Sequence, residues 1–345
     1  MTDQDLNKSD FIYKNSSFRL SVAPMMDWTD RHCRFFHRQI SHHALLYTEM
    51  VTAPAIVHGD RSKLLDYNTP EHPVALQLGG SDPAELREAT RIANDWGYDE
   101  INLNCGCPSD RVQSGAFGAV LMKTPELVAE CVAEMQAVAH AEVTVKCRIG
   151  VDDQAPYEVL PRFLETVSAA GVTRFTIHAR KAWLQGLSPK DNREIPPLDY
   201  PLVERMKAEY PHLNISLNGG LATLAAAEEA LARGLDGAMV GRAAYHEPME
   251  ILGAADQRLW GQGAPRDPFE IAETMVPYID NHLAHGGRLH QITRHMLGLF
   301  HGKPGARRYR QILSEGATRT GADSALFVQA VGAVAQAMRA QSEQD

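Results

Sequence analysis

Eight short apolar runs recur between residues 21 and 242, and each ends in a polar or glycine-containing cluster. In the fourth run Ile101 and Leu103 alternate with Asn102 and Asn104, as in a strand with two distinct faces. Short apolar runs bounded by turn residues are typical of buried β-strands. The predicted strands are Ser21–Met25, Leu45–Val51, Val74–Gly80, Glu100–Asn104, Val143–Gly150, Arg174–Arg180, Asn214–Gly220 and Gly237–Arg242.

Segments with helical spacing separate most of these runs. Two of them, Asp82–Trp96 and Thr124–His140, have a proline in the first turn, which suits a helix start. Leu160–Ala170 and Leu221–Arg233 repeat apolar residues at helical intervals. Eight βα units predict an α/β fold, a (β/α)8 barrel of the TIM type, over residues 19–250.

The two ends of the chain have other patterns. Residues 1–18 are polar and predict an N-terminal extension that is partly disordered. From about residue 268 the apolar positions follow helical spacing alone, interrupted by glycine pairs. This pattern predicts a C-terminal all-helical domain over residues 251–345.

Composition narrows the possible partners. The 345 residues carry a formal net charge of −9, which argues against indiscriminate binding of polyanions. A nucleic-acid partner would therefore need a local basic patch. Arg307, Arg308 and Arg310 are too close together to share one narrow helix face, and Tyr309 lies between them. They predict a patch that grips phosphates and stacks a base, with a solvated helix face as the alternative.

Cysteine usage and the N-terminus bear on location. Five cysteines are an odd number and do not form a disulfide framework. The segment MTDQDLNKSD lacks an apolar signal core, and no apolar run approaches the length of a membrane span. We therefore expect a cytoplasmic protein without a membrane association.

Chemistry in a barrel lies at the carboxyl ends of the strands, and here nearly every predicted strand ends in a polar group. After strands seven and eight, glycines leave room for a phosphate, either that of FMN or that of a sugar-phosphate substrate. Lys146 has a second interpretation as a Schiff-base lysine of an aldolase. The predicted pocket is lined by Pro24–Met26, Glu49, Gln77, Asn104, Lys146, Arg148, His178, Asn218–Gly220 and Gly241-Arg242.

The loop after strand four is the other candidate for chemistry. Pro108 ends the strand, and the following residues, with Gly115 and Gly118, predict a mobile loop. Cys105 and Cys107 could begin a metal site, but tetrahedral zinc needs four ligands and no second cluster follows. No metal is expected.

The sequence Asn104-Cys105-Gly106-Cys107-Pro108-Ser109 resembles the active-site signature of the flavin-dependent tRNA-dihydrouridine synthases. The resemblance runs from about residue 19 through the tail. Asp27–His32, Leu184–Leu198 and Thr293–Phe300 are similar to the A subgroup of that family, which acts at tRNA positions 20 and 20a.

This resemblance implies reduction of the C5–C6 bond of D-loop uridines, with NADPH or NADH as electron donor and FMN as hydride donor to C6. Cys107 would protonate C5, since a thiol is largely protonated at neutral pH. The chain would act as a monomer on tRNA. The resemblance assigns FMN binding to Pro24, Met25, Met26, Gln77, Lys146, His178, Asn218, Gly219, Gly220, Gly241 and Arg242.

Two alternatives to this function remain open. A flavin barrel acting on a free small molecule, such as a dihydropyrimidine, and a non-catalytic tRNA-binding module remain as alternatives. The long helical tail argues against the first, and the row of polar strand ends with Cys107 argues against the second.

The expected contacts with substrate or tRNA combine this resemblance with the charge pattern. They are Asn104, Arg148, Lys181, Asn192, Arg193, Glu194, Arg307, Arg308 and Arg310.

Overall fold

A closed barrel of eight parallel strands forms the body of the molecule, as the sequence predicts. The computed structural model describes residues 18–109 and 117–343. Each strand pairs with the next, and the eighth pairs with the first. The strands are β1 Leu20–Val22, β2 Leu45–Thr52, β3 Val74–Gly79, β4 Glu100–Cys105, β5 Glu142–Arg148, β6 Arg174–His178, β7 Asn214–Asn218 and β8 Gly237–Val240.

All eight predicted runs contain a strand, but several of them extend past its last residue. Met25, Gly150 and Arg180 lie in the loops that follow β1, β5 and β6. Two of the predicted features, most of the N-terminal extension and the loop around Gly115, lie outside the described residues.

Helices surround the barrel and continue beyond it. The helix predicted from Leu160 begins four residues earlier, where Pro156 occupies its first turn. The helices beside and directly after the barrel are α1 Arg31–Ile40, α2 Ala53–His58, α3 Arg61–Leu65, α4 Pro83–Asn94, α5 Pro125–Gln136, α6 Pro156–Ala169, α7 Tyr200–Glu209, α8 Leu224–Ala232, α9 Arg242–His246 and α10 Pro248–Leu252. The C-terminal helices are α11 Ala255–Trp260, α12 Pro268–Ala284, α13 Leu289–Thr293, α14 Ala306–Gly316 and α15 Ser324–Ser342.

The C-terminal helices pack on the barrel at α1. The ring of Tyr278 in α12 stacks on Phe35 with centroids 3.8 Å apart. Asp30, which caps the start of α1, accepts hydrogen bonds from Arg294 at 2.6 Å and His295 at 3.0 Å. One hydrophobic core runs from the strands into these helices, and residue 250, the predicted domain boundary, falls inside α10.

A chain of buried polar side chains fills the barrel beside β3, β4 and β5. Thr144 donates to Glu100 at 2.5 Å and accepts from Asn102 at 2.8 Å. Asn102 in turn accepts from Gln77, also at 2.8 Å. Buried polar groups need such partners, so this chain fixes the side-chain orientations below the barrel mouth.

Two kinds of feature are absent from the described residues. No helix among them is both long and apolar enough to cross a membrane. Within the same ranges, no group of three or more His, Cys, Asp or Glu side chains is arranged to hold a metal ion.

Candidate active site

Asn104 shapes the turn that presents Cys107. Its Oδ1 accepts the backbone N–H groups of Gly106 at 3.0 Å and Cys107 at 2.9 Å. Its Nδ2 donates to Gln77 Oε1 at 2.8 Å, which ties the turn to the buried polar chain of the barrel. Asn104 was predicted to contact substrate, but its amide oxygen is engaged by the backbone, and one Nδ2 proton remains for a ligand.

Cys107 differs from the other four cysteines, all of which lie in the described ranges. It is partly exposed, with Sγ 3.5 Å from the Ser109 hydroxyl, while the others are buried. Burial raises the pKa of Cys105 well above its ordinary value and that of Cys147 to about 12. Only the Cys107 thiol is therefore accessible at this end of the barrel.

Arg148 joins the Cys107 turn to the insert between β6 and α7. Its Nε donates to the Gly106 carbonyl at 3.1 Å, and its Nη1 donates to the carbonyls of Asn192 at 2.8 Å and Lys181 at 3.1 Å. The guanidinium thus holds two loops together. The predicted role of Arg148 was a contact with substrate, and the bonds to the loops are additional to it. Burial and the neighbouring Arg193 lower its pKa to about 10.

Lys146 is a half-buried amine two residues before Arg148. Burial and the Arg148 charge lower its pKa to about 8. Within the described ranges no hydrogen bond or ion pair engages its Nζ. Lys146, Arg148 and Arg193 all lie close enough to Cys107 for a thiolate there to favour their charged forms.

His178 and the glycines after β7 are packed tightly against each other. A Cβ at Gly219 would lie 2.6 Å from His178 Cδ2, and one at Gly220 would lie 2.5 Å from Leu198 Cδ1. Both glycines have positive φ, 101° and 75°. Glycine is therefore required at both positions, because a side chain would collide with its neighbours. Their place after a barrel strand had predicted open space for a phosphate instead. The Asn218 side chain is also engaged, since its Nδ2 donates to the Met239 carbonyl at 2.8 Å.

Gly241 does offer open space. A Cβ there would meet only Ala23 Cβ and Met25 Sδ, both at an ordinary 3.7 Å. The next residue, Arg242, forms an ion pair with Glu194 of the insert. Met26, in the loop after β1, is exposed. These residues bring the loops after β1, β6 and β8 together.

The insert between β6 and α7 contains the predicted tRNA contacts Lys181, Asn192, Arg193 and Glu194. Asn192 is wholly buried and bonds through its amide to both the N–H and the carbonyl of Trp183, at 2.7 and 2.9 Å. The prediction that the Asn192 side chain contacts tRNA is therefore wrong, because it is enclosed in its own loop. Arg193 and Glu194 are exposed, and Lys181 lies over the Trp183 ring.

The arginine patch of α14 differs from its prediction in one respect. Arg307 and Arg308 are exposed, and Arg310 is half-buried. Tyr309 is wholly buried, and its hydroxyl donates to the Met296 carbonyl at 3.1 Å. Stacking of a base on Tyr309 is excluded because the ring belongs to the core.

Sequence reasoning missed two aromatic side chains at the barrel mouth. Trp183 is 36% exposed. Trp28 stacks on Tyr245 with centroids 4.5 Å apart. An aromatic residue in a long polar insert after a barrel strand was the available signal for Trp183.

The mouth of the barrel is positively charged although the chain as a whole is acidic. Burial together with the charges of Arg148 and Lys146 lowers the pKa of His178 well below its ordinary value. The same cations repel one another, and so a bound anion would relieve the repulsion. The site is built to receive negative charge.

Comparison with known proteins identifies the family of this chain. The family model described as Dihydrouridine synthase matches residues 21–336. The chain belongs to the dihydrouridine synthase family. This membership confirms the predicted enzyme class, a flavin-dependent oxidoreductase, and it excludes the aldolase interpretation of Lys146.

Curated relatives of the dihydrouridine synthase family cover nearly the whole chain. A tRNA-dihydrouridine(20/20a) synthase from Xanthomonas axonopodis pv. citri is 56% identical over 319 residues, 92% of this chain and 94% of the relative. Proteins with the same name from Salmonella typhi and Shewanella oneidensis are 56% and 58% identical, over 92% and 90% of this chain and 96% and 92% of their own lengths.

A solved structure shares the fold of this dihydrouridine synthase family member. The old yellow enzyme homologue from Zymomonas mobilis superposes with a TM-score of 0.50 at 13% identity, covering 73% of this chain and 91% of its own. At this identity the likeness concerns the fold alone.

The residues at the mouth fit a flavin cofactor. The His178 Nδ1 is buried without a hydrogen-bond partner among the described residues. Lys146 supplies a cation that no described residue pairs, and Gly241 leaves room for a close approach. A polar heterocycle carrying a phosphate would supply partners for the His178 nitrogen and the Lys146 cation, and it could approach the backbone closely at Gly241.

Proposed function

We propose that this chain is a tRNA-dihydrouridine(20/20a) synthase, which reduces the C5–C6 double bond of D-loop uridines with FMN as cofactor and NADPH, or NADH, as electron donor. The observation that carries the proposal is the meeting of Cys107 with Lys146 and Arg148 at the carboxyl ends of β4 and β5. The names and high coverage of the curated relatives support the substrate.

The protein's own residues have distinct roles in this proposal. Bound FMN in its reduced form would supply the hydride for uracil C6. Cys107 gives its Sγ proton to C5 and regains one from solvent, so that one hydride and one proton complete the reduction. Lys146, Arg148 and Arg193 lie close to the Cys107 thiol, where this proton transfer takes place.

The remaining mouth residues would hold the cofactor and the flipped base. Asn104 and Arg148 fix the Cys107 turn, and the free Nδ2 proton of Asn104 is available to a uracil carbonyl. The uridine must leave its stack to reach them, which costs less in a loop than in a helix. FMN would contact Pro24, Met25, Met26, Gln77, Lys146, His178, Asn218, Gly219, Gly220, Gly241 and Arg242.

The helices after the barrel would bind the body of the tRNA. This assigns FMN to residues 19–250 and tRNA to residues 251–345, where Arg307 and Arg308 are exposed. We further propose that the chain works in the cytoplasm, since all five cysteines are free thiols, and that it acts as a monomer.

The experiment is an anaerobic half-reaction study. The purified protein should carry FMN, NADPH should bleach the flavin absorbance, and tRNA lacking dihydrouridine should restore it. Free uridine at the same concentration should not restore it, because the tRNA contacts are then missing. Equal reoxidation by free uridine or a dihydropyrimidine precursor would favour a small-molecule oxidoreductase, and protein without flavin would contradict the proposal.

A further inference from the structure

The insert between β6 and α7 presents an aromatic ring at the barrel mouth. Trp183 is one of five large apolar side chains exposed in the described part of the chain, with 36% of its surface accessible. The Nζ of Lys181 lies 5.2 Å from its ring centroid. An exposed aromatic ring beside a cation, at the edge of a positively charged mouth, offers a face for stacking and a charge for a phosphate.

The position of Trp183 is fixed rigidly relative to Cys107. Its backbone N–H and carbonyl are both bonded to the buried Asn192 amide. Arg148 then links Asn192 and Lys181 to Gly106, the residue before Cys107. One guanidinium therefore connects the loop that carries Trp183 with the loop that carries the thiol.

We propose that Trp183 is a stacking platform for a nucleotide flanking the target uridine, with Lys181 meeting that nucleotide's phosphate. The inference rests on the proposed function and adds a named contact to it. A uridine drawn into the barrel leaves its neighbours unstacked, and an aromatic ring at the rim replaces the missing stacking. The local cations Lys181 and Arg193 match the backbone charge in a chain whose net charge is −9.

The variant Trp183→Ala, in the FMN-loaded protein, tests the platform. The second-order rate constant for reoxidation by tRNA should fall by about 5- to 150-fold, the range that corresponds to losing one base–aromatic stack. Trp183→Phe should recover most of the rate because phenylalanine keeps an aromatic face. Reduction by NADPH should stay at the wild-type rate in both variants.

Tyr157 offers a matched control. It is 47% exposed and also has a cation over its ring, Arg205 at 5.7 Å, but it lies at the start of α6 and not in the insert that contains Trp183. Tyr157→Ala should leave reoxidation by tRNA unchanged. An equal loss of rate in both alanine variants would mean a general structural effect and would overturn the proposal.

Altered RNA, tested with wild-type protein and with Trp183→Ala, gives an independent test. Transcripts with an abasic site directly 5′ or 3′ of the target uridine should react more slowly, and one of them should lose nothing further with Trp183→Ala. Such non-additivity is the signature of a direct contact. Fully additive losses at both positions would contradict stacking on Trp183.

Three other outcomes are informative. Slower reduction by NADPH in Trp183→Ala would assign the ring to the dinucleotide, and the proposal would fail. If wild-type protein does not react with tRNA at all, the proposed function fails. If wild-type protein reacts and Trp183→Ala is equally fast, the stacking inference fails alone.

Discussion

The charge of the Lys146 amine depends on what the barrel mouth contains. Burial and Arg148 lower its pKa to about 8, and no partner within the described residues offsets this. Because an anionic ligand stabilises the protonated amine, binding of FMN and protonation of Lys146 favour each other. The affinity for FMN should therefore depend on pH.

The expected direction follows from the lowered pKa. Below about pH 8 Lys146 is protonated and FMN binds tightly; above it, affinity should fall by up to about tenfold per pH unit. Titration of the apoprotein with FMN between about pH 6.5 and 9.5, followed by flavin fluorescence, measures this. Lys146→Arg should bind with little pH dependence and Lys146→Met weakly at every pH. A flat wild-type profile would exclude Lys146 from the FMN site.

Residue type alone identified the polar groups at the mouth but not all of their partners. Asn104 and Arg148 are hydrogen-bonding residues near strand ends, and Asn192 lies in the long insert after strand six; each was predicted to contact substrate or tRNA. In the structure all three bond to loop backbone, and Asn192 is fully enclosed. Which carbonyls a side chain meets depends on how distant loops fold over one another, and spacing along the chain carries no such information.

At the level of single elements, the glycine turns after β7 and β8 differ in the space that a side chain would find there. Gly219 and Gly220 are required by His178 and Leu198, whereas Gly241 faces open space. The glycines after both strands predicted room for a phosphate. The sequence alone could not distinguish a glycine that packing requires from one that a ligand requires. The same limit applies to α14, where Tyr309 between arginines is a core residue.

Gly241→Ala tests the phosphate position directly. A methyl group there would meet Ala23 and Met25 only at ordinary contact distance, but it would obstruct a phosphate that approaches the backbone. We expect affinity for FMN to fall roughly tenfold or more, as for loss of one charge-assisted hydrogen bond. Calorimetric titration of apoprotein with FMN measures the effect, and circular dichroism checks the fold. Unchanged affinity would move the phosphate elsewhere.

Gly332→Ala is the matched control for this substitution. Gly332 lies in α15, far along the chain from the mouth, and a Cβ there meets nothing within 4 Å. Alanine in a helix interior should raise the free energy of unfolding by about 0.5–1 kcal/mol, as measured by urea denaturation. FMN affinity should not change.

At the scale of the whole molecule, alternating apolar runs were sufficient to predict the barrel and the helical tail. The pattern works because each strand is buried on both faces and each loop must be polar. It could not predict that one core would join the barrel and the tail, because contacts such as Tyr278 on Phe35 connect residues far apart in sequence. The distribution of charge also depends on how distant residues come together. The chain is acidic as a whole, but its cations are concentrated at the mouth and on α14.

The α14 arginines should contribute by neutralising phosphates of the tRNA backbone. Replacing Arg307, Arg308 and Arg310 together with alanine should weaken tRNA binding and lower the slope of log K against log salt by roughly 0.7–0.9 for each phosphate that is no longer neutralised. Filter binding at several salt concentrations measures this, and reduction by NADPH should be unaffected.

An equal change of charge elsewhere is the control. Arg87, Arg91 and Arg162 are exposed on α4 and α6, each paired with a glutamate. Their replacement by alanine should leave the salt slope unchanged. If the α14 variant behaves in the same way, its arginines form only a solvated helix face.

The most direct test of the central claim is the rate at which tRNA reoxidises the reduced flavin in Cys107→Ala under anaerobic conditions. The variant should bind FMN and accept electrons from NADPH normally, because the thiol is assigned to proton transfer alone. Reoxidation by unmodified tRNA should slow by about 10²–10⁴-fold, the usual cost of losing a general acid. Cys105→Ala, which removes a buried neighbouring thiol, should reoxidise at close to the wild-type rate. Wild-type speed in Cys107→Ala would mean that the proton comes from another group, and it would contradict the role given to Cys107 at the barrel mouth.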